Sequence, residues 1–146
     1  MGQITFKEIQ PKHCVNAKIR RLHRLLNEPY QSLIKPYGLK GSMLSILFMI
    51  GKQNTNQKRI AKQLVLDEST MSRDLKKLEA LGFVNRKRGE DARNIQLKIT
   101  ENGLELLNEI APKWAVLHDH VSAAIGPERL TTIDSILTTL ENLDYD

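Results

Sequence analysis

The sequence predicts a mainly α-helical chain with one small β-hairpin, and three observations carry that prediction. Apolar residues recur three to four positions apart over several separate stretches, the spacing of helices with one buried face. Two short runs that alternate in polarity, 83–88 and 94–99, flank a polar segment, 89–93, of hairpin-turn composition. Between the stretches stand residues that start and stop helices: Asp67 and Thr100 as N-caps, Gly82 and the pair Gly126-Pro127 as stops. From Asn56 to Gly103 the order is two short helices, a basic hairpin and a new helix start, which is the order of a winged helix-turn-helix.

Taken along the chain, residues 1–11 contain few turn signals and are expected to be at most partly helical. From Lys12 to about Lys35, Val15, Ile19, Leu22, Leu25, Leu26, Leu33 and Ile34 form a helical stripe opposed by Lys18, Arg20, Arg21 and Arg24. Pro29 lies inside it and removes a backbone donor, so a kink or restart is expected near Asn27 to Pro29. Pro36-Tyr37-Gly38 ends it. Ser42 to Ile50 is apolar almost all round and reads as the buried helix of a central lobe. Gly51 and Gln53-Asn54-Thr55 make the next turn.

The first helix of the pair, Asn56 to Leu64, buries Ile60, Ala61 and Leu64; Val65-Leu66-Asp67 is the turn. The second opens on Asp67-Glu68-Ser69-Thr70, whose side-chain oxygens can cap free amides, and carries Met71, Leu75, Leu78 and Leu81 as its apolar stripe. Its other face holds Ser69, Thr70, Ser72, Arg73, Lys76 and Lys77. After the wing, a helix from about Glu101 is expected to bend or break at Pro112, with Trp114, Val116, Leu117, Val121, Ala124 and Ile125 continuing its apolar face. The last helix starts at Pro127 and carries Leu130, Ile133, Ile136, Leu137, Leu140 and Leu143.

At 146 residues the chain suits one domain, 1–146, able to bury a core without disulfides. Its DNA-binding lobe is expected over 37–100, with 1–36 and 101–146 as a helical dimerisation region. Cys14 is the single cysteine, no signal-like segment leads the chain, and the longest apolar run, Met43 to Ile50, is too short to span a bilayer. A cytoplasmic protein with no membrane partner is the expectation. Charge is polarised: eight basic against two acidic residues up to Gly51, twelve against six over 52–98, and two against nine over 99–146. A basic centre with an acidic tail suits a polyanion as partner.

The motif Asp91-x-Arg93 followed by Leu97-x-Ile99-Thr100-x-x-Gly103 resembles the wing signature of the MarR family of bacterial transcriptional regulators. The run Ser69 to Arg73, with Leu78-Glu79-x-Leu81-Gly82, is similar to that family's recognition helix. Ile99 stands where the family usually has Leu, and Val65 to Asp67 is a more apolar turn than the commonest one. The resemblance extends loosely over nearly the whole chain. It implies a homodimer, as does the surplus of apolar face on the terminal helices.

On this reading Ser69, Thr70, Ser72 and Arg73 face base edges in the major groove, Arg73 as a bidentate reader of guanine. Lys76 and Lys77, with Lys58, Arg59 and Lys62 of the preceding helix, are candidates for phosphate contacts. Arg93 is expected in the adjacent minor groove, with Asp91 orienting its guanidinium. Arg86, Lys87 and Arg88 alternate along a strand and cannot all face a duplex; the resemblance favours Arg86 as a backbone or bracing contact. Two such units address a pseudo-palindromic operator of double-stranded DNA with half-sites about one helical turn apart.

Members of the family commonly respond to small aromatic acids, drugs or oxidants, which implies a repressor released by a ligand. Cys14 lies near a cysteine that reacts with hydroperoxide in one branch of the family, with Lys12, His13, Lys18 and Arg20 close in sequence and Tyr30 as the one tyrosine counterpart; a buried apolar filler is the alternative. His13, His23, His118 and His120 make no metal set by spacing, since residues two apart splay on a helix, and no metal or cofactor is expected. Two other classes compete. An enzyme lacks any phosphate loop, activated nucleophile or acidic pair here, a Cys14-based peroxide-reactive protein excepted. A winged helix used for protein interaction would show an apolar or acidic recognition face, whereas this one is hydroxylated and basic.

Overall fold

Six helices and a three-stranded antiparallel sheet make up the described part of the chain, residues 2–88 and 95–146 of a computed structural model. Helix α1 spans Val15–Ile34, α2 Gly41–Lys52, α3 Gln57–Leu64, α4 Glu68–Ala80, α5 Glu101–Ile125 and α6 Pro127–Glu141. The strands are β1 Thr55–Asn56, β2 Val84–Arg88 and β3 Ile95–Ile99. The turn of the hairpin, with Asp91 and Arg93, lies outside the described residues.

Three differences from the sequence reading have physical causes. Residues 11–13 form a separate 3-10 turn, so α1 starts at Val15 and Cys14 occupies its N-cap position. Pro29 and Pro112 both sit inside continuous helices, with no restart near Asn27 and no break at Pro112. Each proline forfeits a single bond to the carbonyl four residues back, that of Leu25 or Asn108. Both of those residues and both prolines are exposed, so water can take the freed carbonyl. Finally, the sheet has a third strand. β1 pairs with β3 in the order β1-β3-β2, Thr55 opposite Leu97 and Arg86 opposite Leu97 from the other side. Two residues are too few to show an alternation.

Asp67 and Thr100 cap α4 and α5 as expected. Asn56, expected as the first residue of the helix, is instead the N-cap of α3, its Oδ1 accepting from the Arg59 amide at 2.8 Å. Val65 then takes a left-handed conformation, φ 53°, which is costly for a β-branched residue, and the Leu66 amide closes the helix onto the Ala61 carbonyl at 2.9 Å. Gly82 has φ 81° at the end of α4, and Gly126 φ 87° before α6. Leu81, expected in the buried stripe of α4, is its C-cap and is exposed.

Helix α2 is the centre of the core. Met43, Leu44, Ile46, Leu47 and Ile50 are all buried, and they meet Ile34 of α1, Ile60 of α3, Met71, Leu75 and Leu78 of α4, Val84 and Leu97 of the sheet, and Leu106 and Ile110 of α5. Burying each such side chain stabilises by about 1.5–3 kcal/mol, so α2 fixes the two short helices against the base of α5. The outer helices differ. Ile34 is the one buried residue of α1, and α6 buries none. Val15, Ile19, Leu22, Leu25 and Leu26 of α1 are exposed, as are Ile133, Ile136, Leu137 and Leu140 of α6. No single helix among the described residues is long and apolar enough to cross a membrane.

Candidate nucleic-acid interface

Asp67 organises the start of α4. Its Oδ1 accepts from the Thr70 amide at 2.7 Å and from the Ser69 hydroxyl at 2.7 Å, while Oδ2 accepts from the Thr70 hydroxyl at 2.9 Å. These bonds favour the ionised carboxylate, the Thr70 amide most, then the two hydroxyls, with the charge of Arg73 adding; they hold its pKa down to about 2. Both hydroxyl protons are therefore spent on Asp67. What Ser69 and Thr70 have left to present outward is lone pairs, which suit the amino donors of cytosine and adenine.

Arg73 is exposed one turn further on. Its Nε donates to the Ser69 carbonyl at 3.3 Å, and its two terminal amino groups, without a hydrogen-bond partner among the described residues, suit a planar, two-pronged contact. Ser72 is half-buried beside it, and Lys76 and Lys77 are exposed. Lys58 and Arg59 stand exposed on the first turn of α3, and Lys62 on its last.

Arg86 of β2 is half-buried and its Nε donates to Glu79 Oε1 of α4. It ties the wing to the helix before it, the bracing arrangement. Lys87 and Arg88 beyond it are exposed. The base of the wing is fastened a second time at Thr100. That hydroxyl accepts from the Gly103 amide at 3.0 Å and donates to the Gly82 carbonyl at 2.6 Å, while the Thr100 amide donates to the Phe83 carbonyl at 3.0 Å. Gly103 is held there by space: a Cβ on it would lie 2.4 Å from the Phe83 carbonyl oxygen and 2.7 Å from Ile99 Cγ1.

A cleft of about 920 Å³ lies between α1, α2 and α5, lined among others by Leu26, Tyr30, Ser42, Phe48 and Trp114. Gln31 closes one side, its Nε2 donating to the Leu39 carbonyl at 3.0 Å and its Oε1 accepting from the Gly41 amide at 3.2 Å. Trp114 meets Phe48 edge-on at 5.8 Å and stacks on His118 at 4.5 Å. Burial pushes the Tyr30 phenol up from its ordinary value. Cys14 is exposed and lies outside this lining. Tyr30 lies sixteen positions further along α1, about 24 Å along a helix, so the two cannot meet within one protomer. His23 lines the cleft, while His13 and His120 are exposed apart from it.

Sequence reading missed two contacts. Glu79, part of the Leu78-Glu79-x-Leu81-Gly82 motif, is the partner of Arg86. Asp74 is buried, 6% exposed, and accepts from the Ser42 hydroxyl at 2.6 Å. Its spacing was the available signal, three residues after Met71 and four before Leu78, which puts it on the buried face of α4.

Residues 29–110 match the family profile described as transcriptional regulator SarA/Rot, more than half of the chain. The chain is 29% identical over 117 residues to the HTH-type transcriptional regulator YwoH of Bacillus subtilis, covering 80% of this chain and 82% of that protein. It is 36% identical over 81 residues to the HTH-type transcriptional regulator SarZ of Staphylococcus haemolyticus, where the match spans 55% of this chain and about half, 52%, of SarZ. Among solved structures, the transcriptional regulator MosR of M. tuberculosis in complex with DNA superposes with a TM-score of 0.77 at 25% identity, over 88% of this chain and 96% of MosR. Other regulators that superpose are of the MarR family. The chain belongs to the SarA/Rot family of transcriptional regulators and has the MarR-type winged helix-turn-helix fold.

Proposed function

We propose that this regulator binds a pseudo-palindromic site in double-stranded DNA as a homodimer, with α4 of each protomer in a major groove. The observation that carries the reading is the outward face of α4: two hydroxyls oriented by Asp67 beside the exposed guanidinium of Arg73. Ser69, Thr70, Ser72 and Arg73 read base edges. Lys76, Lys58 and Arg59 hold phosphates, a contribution that weakens with salt. Arg86 acts through Glu79, bracing the wing so that Arg93, oriented by Asp91, reaches the minor groove. Residues 37–100 form the DNA-binding lobe, with 1–36 and 101–146 as the dimerisation region.

The uncovered apolar residues of α1 and α6 support the homodimer, since exposed apolar surface on this scale marks an interaction site. The protein works in the cytoplasm as a repressor without enzymatic activity. A small aromatic ligand releases it, seated in the cleft beside Phe48 and Trp114, where aromatic rings pack its apolar part and polar side chains such as Asn27, Lys40 and Ser45 orient it. Oxidation of the exposed Cys14 is a second route to release; unchanged DNA affinity after peroxide treatment would remove it.

The test is selection from a randomised duplex library at near-physiological salt. The expected result is enrichment of a twofold-symmetric site with half-sites about one helical turn apart. Recovery of duplexes without sequence enrichment would reduce the reading to electrostatic binding, and no recovery would overturn it.

A further inference from the structure

We propose that the hydrogen bond from Ser42 to Asp74 couples the cleft to the recognition helix, so that events at one are felt at the other. The proposal rests on the reading of α4 as the DNA-contacting helix and deepens it. Ser42 is the second residue of α2 and lines the cleft. Its hydroxyl donates to Asp74 Oδ2 at 2.6 Å, and Asp74 is the one buried carboxylate among the described residues. It follows Arg73 directly in α4. Ser42 therefore lines the cleft while its hydroxyl holds the side chain next in sequence to the reader Arg73.

The chemistry makes this contact responsive. A serine hydroxyl has one proton to donate. Any movement of α2, or any acceptor in the cleft that takes the hydroxyl's hydrogen bond, leaves a buried carboxyl group without its donor, and an unpaired buried polar group is costly. A shift of that turn of α4 that brings Asp74 toward water or another donor relieves this state, and Arg73, the adjacent residue, moves with the turn. Coupling is reciprocal. When DNA fixes the pose of α4, the cleft must respond.

Trp114 gives the readout. It is the only tryptophan of the chain, lines the cleft and packs edge-on against Phe48 of α2. The full-length protein is titrated with the duplex recovered by selection, following duplex anisotropy for affinity and Trp114 emission for the cleft. Wild type is expected to shift its emission on saturation. Ser42→Ala is expected to bind about tenfold more weakly and to lose the emission shift even when saturated, while Ser42→Thr, which keeps a hydroxyl, restores both.

Should Ser42→Ala fail to fold, Ser42→Cys, with its weak thiol donor, is expected to show the same loss. An unchanged emission in DNA-bound wild type, or a full shift in saturated Ser42→Ala, would overturn the coupling while leaving DNA binding intact. Failure of wild type to bind any duplex is a different result, one that overturns the α4 reading itself.

Discussion

Replacing Thr100 by Val removes one hydroxyl and almost nothing else, so its effect isolates how the wing is fastened to α5. The side chain loses its acceptor role toward the Gly103 amide and its donor role toward the half-buried Gly82 carbonyl. Loss of an N-cap costs about 1 kcal/mol, and an unpaired half-buried carbonyl about 1 kcal/mol more. At about 2.1 cal/mol/K per residue, unfolding a 146-residue chain has an entropy of about 0.3 kcal/mol/K. The expected fall in Tm is therefore about 6 °C. Thermal unfolding followed by circular dichroism measures it, at one fixed protomer concentration because association raises apparent stability. Thr100→Ser keeps the hydroxyl and is expected to stay within about 2 °C of wild type. A Thr100→Val protein within about 1 °C of wild type, or equal losses in both variants, would refute the hydrogen-bond account.

Three further outcomes follow from the same geometry. Gly103→Ala drives a methyl into the Phe83 carbonyl; overpacking costs about 1–3 kcal/mol, partly offset by up to about 1 kcal/mol of helix propensity, so the urea midpoint is expected to fall with an unchanged m-value. Asp67 titrates at about 2 in the folded chain against 3.8 ordinarily, so its stabilisation is complete above about pH 4 and drains away as pH falls through about 2. Asp67→Asn keeps a capping side chain but has no such titration, and its acid unfolding curve should lack that component of the wild-type curve. Ile136→Asp puts a charge on the exposed apolar face of α6 and is expected to sediment as a monomer at micromolar concentration; a wild-type protein that is itself a single monomeric species would defeat the dimer.

Much of this architecture was legible because it rests on local chemistry. Asp67 and Thr100 announce helix starts through side-chain oxygens, and Gly82 announces a stop through its freedom at positive φ. The apolar run of α2 could only be buried. What escaped depends on where a segment sits. Pro29 and Pro112 sit inside unbroken helices at water-facing positions, where the lost bond is cheap, and a sequence does not say which side of a helix meets solvent until the partners are known. β1 exists because β3 offers it an edge, not through any pattern of its own. Val65 holds a left-handed turn that glycine usually fills, because the α3–α4 connection demands it.

The candidate site divides the same way. The basic and hydroxylated residues of α4 were visible as a face, but the spending of both hydroxyl protons on Asp67 was not, nor was the pairing of Arg86 with Glu79. Asp74 shows the limit most clearly. Its spacing placed it inward, and only the approach of Ser42 from another helix explains how a carboxylate is tolerated there.

The measurement that bears most directly on the central claim is the affinity of wild type and Arg73→Ala for the selected duplex and for a scrambled duplex of the same length and composition. The account predicts that the variant loses about ten- to a hundredfold on the selected site and far less on the scrambled one, where only a charge is missing. Equal losses on both duplexes, or no loss on either, would contradict the assignment of α4 as the helix that reads sequence.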